Sequence, residues 1–467
     1  MSEFFKDLID WQFVISAIVL AVGVHAVLGL VAYAVYLERK ISAYIQDRIG
    51  PNRVGFDFGL TFLSPLKGFL ALGQPLADGL KFFLKEDFAP KNVDKVLFTL
   101  APVLALVPAL IGFVIIPWGG YFEMPAAMDM AFFRYLFDLP WIFGDTFTFF
   151  FAHIEAQTVA VSGANVHVGI IYLLAVASVG VYGVTLGGWA SNNKYSMLGG
   201  LRATAQMISY EIPLGLSLLA TLLIVGSFMP NEIIEYQVQN GWMMLSMPLA
   251  GLLFYTCGLA EANRAPFDNA EAEQELVGGF HTEYSSMRFA LYFLAEYAHL
   301  ITACSFFVLL FMGGYHLPMV GITDPAATGL LAVFVKIGVF ATKVVLMVCF
   351  AMLVRWTLPR MRYDQVMMLG WQAMIPMGML IIVVTSVMVY FGQTTLLPML
   401  GANIGMLIVL LIAQHVFAMI FGRSTANRRI RLYGSRFSPM EGERVISSPT
   451  NQMAREDRPV QGSVPTI

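Results

Sequence analysis

The chain has 467 residues, 58% hydrophobic and 13% charged, with a net charge of −3. Its mean hydropathy of +0.70 exceeds what a soluble core needs. A near-neutral balance without a basic aromatic patch argues against nucleic-acid binding. Cys257, Cys304 and Cys349 are too scattered for a zinc or iron–sulfur site, and no metal site is expected.

A bilayer core about 30 Å thick asks for roughly 20 apolar residues per spanning helix. Nine segments meet that need: 12–37, 96–118, 168–189, 204–228, 242–261, 285–313, 330–357, 367–391 and 396–421. They predict an all-α polytopic membrane protein with about nine transmembrane helices. The first segment is read as a retained helix. Its start carries Glu3, Lys6, Asp7 and Asp10, and its apolar run exceeds the roughly 7–15 residues of a secretory signal. Residues 1–422 form the expected transmembrane domain and 423–467 a polar, Arg-rich tail. Gly119–Val166 reads as an outward insertion, either a folded cap or a re-entrant element. Lysines and arginines alternate onto one face of this topology, which predicts an outside N-terminus and an inside C-terminus.

In chain order, "LERKISAYIQDRIGPNRVG" leaves the first helix at Glu38, and "SPLKGFLALGQPLADGLKFFLKED" begins at Ser64. Within the latter, Leu66, Phe69, Leu70, Leu76, Leu80, Phe83 and Leu84 recur at helical spacing. Pro75 and two glycines argue against a straight span, so an amphipathic interfacial helix is expected. It either anchors the loop or frames an entrance for a lipophilic ligand, with Asp78 and Arg48 at the mouth.

Acids then appear where they are costly. Glu211 lies inside the fourth span, in "MISYEIPLGLSLL"; Glu261 ends the fifth and Glu296 lies in the sixth. "AEANRAPFDNAEAEQELVGGFHTEY" holds six carboxylates: Glu261, Asp268, Glu271, Glu273, Glu275 and Glu283. Of the alternating acids only Glu271 and Glu275 share a helical face, and a solvated loop is the plain reading. An ionised acid at a helix centre costs roughly 3 kcal/mol. Neutralising it at pH 7 costs roughly 3.7 kcal/mol. Costs so close let a nearby charge tip the group, which is what a proton relay requires. Lys336 and Lys343 project from one face of the seventh helix. Lys343 is a relay candidate that holds a partner carboxylate ionised; the structural alternative is an ion pair such as Glu211 with Lys343. His25, His299 and His415 lie in different spans and signal no haem pair, although His299 is near Glu296 and could share its proton. Without a nucleotide fingerprint, the chain carries no evident electron carrier of its own.

These two loop stretches, the "EANRAPFDNAEAEQELVGGFHTEYSSMRFALYFLAEY" run, "GWASNNKYSMLGGLRATAQMISYEIPLGLSL" and "VRWTLPRMRYDQVMMLGW" closely resemble the quinone-site membrane subunit of respiratory complex I. In bacteria it is known as the H subunit and in mitochondria as NADH dehydrogenase subunit 1. The resemblance covers the first eight helices. It implies a subunit of a proton-translocating NADH:quinone oxidoreductase in a bacterial inner membrane, joining a peripheral redox arm to proton-pumping membrane-arm subunits. Quinone (ubiquinone or menaquinone) is the implied substrate, with flavin and iron–sulfur clusters in partner subunits only. Positions matching the family's channel charges are Glu38, Arg39, Arg48, Asp78 and Lys81. The implied relay runs through Glu261, Asp268, Glu271, Glu273, Glu275 and Glu283 to Glu211 and Glu296, with Glu38 also counted in it. The insertion and the ninth helix with its tail depart from the family pattern. A related membrane-bound hydrogenase or ferredoxin-driven complex is the alternative. A secondary transporter would need repeat symmetry that is not found, and a structural anchor leaves the acids unexplained.

Overall fold

The computed structural model describes residues 10–56, 71–125, 156–270 and 273–420. The chain divides into one unit ending at Met406 and another beginning at Leu407. The predicted tail lies outside the described residues.

Helix α1, Trp11–Ile45, is 35 residues long, or about 52 Å at 1.5 Å per residue. It starts where Asp10 accepts the Phe13 N–H at 2.8 Å, an N-cap. A span of about 30 Å uses only part of it, so the "LERK" motif is still helical at its far end. The amphipathic helix α2 is Gln74–Leu84, with Pro75 in its first turn where no N–H is missed. Leu80, Phe83 and Leu84 are 54%, 71% and 87% exposed, an uncovered apolar face as expected of an interfacial helix. Leu66, Phe69 and Leu70 of the predicted periodicity fall outside the described residues.

Helix α3, Lys95–Ile111, follows. Strands β1, Tyr121–Met124, and β2, Gln157–Ala160, then pair antiparallel with Tyr121 opposite Ala160 and Met124 opposite Gln157. They form the stem of the insertion; residues 126–155 lie outside the described residues. Gln12 clamps the stem to α1, its Oε1 accepting the Ala160 N–H at 2.8 Å and its Nε2 donating to the Ala160 carbonyl at 3.1 Å. Trp11 Nε1 donates to the Pro125 carbonyl at 2.9 Å.

Helix α4 is Gly169–Ala190 and α5 is Lys194–Val225. The latter begins about ten residues before the predicted span, because the glycine-bearing "KYSMLGGLRATAQ" packs as helix against α4 and the loop at Gly279. Pro213 removes the bond to the Ser209 carbonyl, and Gly226 ends α5 at φ +75°, a left-handed cap. Helix α6, Pro230–Asn240, is short and polar.

The predicted span 242–261 is instead broken. It comprises α7, Met243–Ser246, and α8, Pro248–Glu261. Pro248 disfavours a helical Met247, which sits at φ −131° and ψ 61°. At 14 residues, α8 is about 21 Å long. After α9, Glu273–Leu276, come α10, Ser286–Phe311, α11, Leu330–Thr357, and α12, Tyr363–Met368. A π-helical turn at Leu369–Met374 leads into α13, Ile375–Tyr390. Pro376 lacks the N–H that would continue a regular ladder there. The last helix is α14, Leu396–Ile420. Eight of these helices are long and apolar enough to cross a membrane among the described residues, and the all-α polytopic class stands.

Helix α10 packs against α1, α3, α8 and α11, while α5 packs against α4, α8 and α13. The main core is therefore built from α5, α8 and α10 side chains such as Leu218, Leu253, Phe254, Phe307 and Phe311. One end of these helices carries Arg39, Arg202, Arg264, Arg288 and Arg355; it is called the Arg-rich end below.

On α6, burial and then the charge of Glu232 hold the Glu235 carboxyl above its usual range. A raised folded value makes ionisation increasingly costly to the fold as pH rises above about 4.3, the ordinary value. The Glu235→Gln variant is therefore expected to raise the thermal midpoint of the purified complex at pH 8, with the gain shrinking toward pH 5. An equal gain at both values would refute the electrostatic cause.

Candidate functional site

Glu38 lies on the last third of α1 and is 8% exposed. Arg355 of α11 hydrogen-bonds its Oε1, Arg264 approaches Oε2 at 3.5 Å, and the Tyr297 hydroxyl donates to Oε2 at 2.5 Å. The Arg264 guanidinium also stacks over the Tyr297 ring, 3.8 Å from its centroid. Four elements thus converge on one carboxylate at the Arg-rich end. Beside it, Arg39 pairs with Asp78 at 2.7 Å, and Gln74 donates to Asp78 at 3.1 Å. This ties α1 to α2 directly beneath the exposed apolar face. Lys81 lies near the Phe82 ring. Arg48 turns to Gln46, and the cation paired with Asp78 is Arg39.

The acidic loop is anchored to α5. Glu275 pairs with Arg202 at 2.5 Å, and Glu283 accepts from Asn193 at 2.6 Å. Asn193 also caps α5, its Oδ1 accepting the Tyr195 N–H at 2.9 Å. The Asp268 backbone carbonyl accepts from Arg360. Gln206 of α5, fully buried, donates to the carbonyls of Ala260 at 2.9 Å and Phe267 at 2.8 Å. It fixes the end of α8 where Glu261 sits. Glu271 lies outside the described residues, as does the Glu273 side chain.

Deeper in, Glu211 of α5 accepts from Ser178 of α4. Glu211 and Glu261 are close enough for their charges to act on each other. Two small cavities adjoin here. The first offers about 40 Å³ to water and is lined by α4, α5, α8 and α10, including Leu214, Phe254, Glu261, His299 and Thr302. The second offers about 20 Å³ and is lined by Glu261, Asn263, Tyr292, Glu296 and His299 among others. A water needs about 10–15 Å³ by this measure, so both can be wet. Glu261 and Glu296 thus share one hydratable region between α4, α5, α8 and α10, with Glu211 within electrostatic reach of Glu261.

Lys343 is elsewhere. Its Nζ donates to the carbonyls of Met312 at 2.7 Å, Gly314 at 2.9 Å and His316 at 2.6 Å, and lies 4.9 Å from the Trp242 ring centroid. Those carbonyls follow the C-terminus of α10, whose orphan acceptors and negative dipole end attract a cation. The ion pair Glu211–Lys343 is not formed, and Lys343 stands apart from the carboxylates. Lys336 is likewise occupied, donating to Ala327 at 2.6 Å. His299 donates to the Ala105 carbonyl of α3 at 3.1 Å, rather than turning that nitrogen to Glu296.

Sequence reading missed Tyr297, Gln206 and Ser178, and used Arg264 and Arg355 only for topology. The available signal was position: Tyr297 follows Glu296, and Arg264 sits inside the acidic motif.

Over residues 17–386 the chain matches the family described as NADH dehydrogenase. It is 40% identical over 379 residues to an NADH-quinone oxidoreductase H subunit of Cytophaga hutchinsonii, covering 80% of this chain and 97% of that protein. With the corresponding H subunit of Leptospira biflexa the identity is 42% over 386 residues, covering 81% and 96%. With one from Geobacter sulfurreducens it is 42% over 365 residues, covering 78% and 91%. The family match stops before α14. Identity at this level over most of both partners is decisive, and the chain belongs to the NADH dehydrogenase family, among the H subunits of NADH-quinone oxidoreductases.

Proposed function

We propose that this membrane subunit of an NADH:quinone oxidoreductase forms the quinone access chamber with peripheral-arm subunits and couples quinone reduction to proton pumping through its buried carboxylates. One observation carries the reading. Ionisable groups occur at the Arg-rich end, at Glu283 and Glu275, and within the helices at Glu261 and Glu296, which line two cavities that can hold water, with Glu211 in electrostatic reach of Glu261.

The chemistry follows from that arrangement. Reduction of a quinone to a quinol consumes two electrons and two protons, changing charge and proton demand near the Arg-rich end. The lipophilic tail is received at the uncovered apolar face of α2, while Arg39 and Asp78 mark the polar rim. Glu38, neutralised by two arginines, lets the cluster exist at low exposure. The loop acids pass the change to Glu261, and waters link it to Glu296 and Glu211. Flavin and iron–sulfur clusters belong to partner subunits in this reading, and neighbouring membrane-arm subunits receive the signal. The Arg-rich end faces the cytoplasm of a bacterial inner membrane, with the N-terminus outside.

Replacing Glu211 by Gln keeps the shape and the acceptor for Ser178 but removes the titrating proton. The expected result in proteoliposomes is an assembled complex that no longer pumps during NADH oxidation. Intact pumping by an assembled Glu211→Gln complex would remove Glu211 from the relay.

A further inference from the structure

The two hydratable cavities share only three residues, Glu261, Ala262 and His299. Of these, His299 is the one whose ring can hold a hydrogen bond on one nitrogen while it exchanges a proton on the other. It stands one helical turn from Glu296 on α10, so both project from the same side of that helix. A backbone carbonyl can only accept a hydrogen bond. The contact of Nε2 with the Ala105 oxygen at 3.1 Å therefore requires the proton on Nε2. That fixes the neutral tautomer and leaves Nδ1 as the basic nitrogen. The ring is also held in place by α4, since a Cβ on Gly180 would fall 2.9 Å from both Cε1 and Nε2.

We propose that His299 carries protons between the two cavities, working beside Glu261 as a further member of the relay. The inference rests on the coupling function given above. In the step, a water beside Glu261 takes the carboxyl proton and delivers a proton to Nδ1. Glu261 becomes a carboxylate and His299 an imidazolium, while Nε2–H stays on the Ala105 carbonyl. Nδ1 then returns the proton through water in the second cavity to the Glu296 carboxylate, and the neutral imidazole is restored. No electron moves, and Glu261 is reset by a proton arriving from the loop. The titratable groups around the ring are Glu296 and Tyr292 on its own helix and Glu261 on α8, with Glu211 on α5 next beyond. Its contacts on α3 and α4, Ala105 and Gly180, carry no titratable group.

The test uses the whole complex in proteoliposomes and reads protons translocated per NADH oxidised. His299→Gln keeps an amide N–H near the Nε2 position for Ala105 and cannot titrate. The expected ratio falls about twofold or more. Glu211→Gln is measured beside it. Wild-type coupling in His299→Gln with coupling lost in Glu211→Gln overturns the His299 step and leaves the carboxylate relay standing. Wild-type coupling in both overturns both. Should His299→Gln not assemble, His299→Asn, which also cannot titrate, takes its place and its ratio is read in the same way.

Discussion

Replacing Glu38 by Gln is expected to destabilise the Arg-rich end of the helices by about 3–5 kcal/mol, the usual cost of removing one partner from a buried ion pair. The amide still accepts from Tyr297, so shape and one hydrogen bond survive. What disappears is the charge that balances Arg264 and Arg355. Arg264 is 7% exposed and cannot recover its lost partner from bulk water. Four elements meet at this point, so α1, α10 and α11 should loosen together. NADH:quinone reductase activity should fall at least about tenfold, the equivalent of only 1.4 kcal/mol in the barrier. The amount of assembled complex on native gels should fall with it. Glu38→Gln combined with Arg355→Gln removes one orphaned cation and should recover part of the assembly. A Glu38→Gln complex with normal activity and thermal midpoint would show that the pairing is idle.

The second large effect concerns Gly183 on α4. A Cβ there would lie 2.6 Å from the Ala105 Cα and closer still to its backbone nitrogen. The obstruction is backbone, which cannot rotate away as a side chain could. Helices within a membrane gain much of their association from such close approach of small residues. The Gly183→Val variant must push α3 from α4, at a cost of about 3 kcal/mol or more. Assembled complex in membranes should drop several-fold. Gly338 on α11 has nothing within 4 Å of a built Cβ, and Gly338→Val should assemble normally. If the two variants assemble equally, the contact between α3 and α4 is not needed. Ala105 also holds His299, so any Gly183 variant that does assemble should show disturbed coupling as well.

Much of this architecture is legible in the sequence because long apolar runs impose it. Eight of the nine predicted spans reappear as membrane-length helices. The exception has a local cause, since Pro248 splits a run that hydropathy alone reads as continuous. The site is less legible for a different reason. Glu38 is drawn to Arg264 and Arg355 across 226 and 317 residues of sequence, and no periodicity encodes that meeting. Lys343 illustrates the same limit. Its type and depth suggested a carboxylate partner, whereas three carbonyls after α10 take its ammonium. Such acceptors belong to the backbone and leave no letter in the sequence. By contrast, the acids at Glu211, Glu261 and Glu296 stand out because each is costly in an apolar run, and the structure sets Glu261 and Glu296 at adjoining cavities with Glu211 near Glu261.

The hairpin stem of β1 and β2 has a consequence for how this protein can change over generations. Its four residue pairs hold Met124 and Gln157 side by side, at the spacing of about 4.8 Å between neighbouring strands. Gln12 and Trp11 lock that stem to the first turn of α1. Closing a longer loop on such a stem costs only about 0.6 kcal/mol for each doubling of its length. The stem therefore tolerates changes in the length of what it connects. Lineages can lengthen, shorten or exchange what it carries while the helices beneath keep their register, which gives this part of the molecule a freedom that the crowded contact of Gly183 with Ala105 denies to α3 and α4.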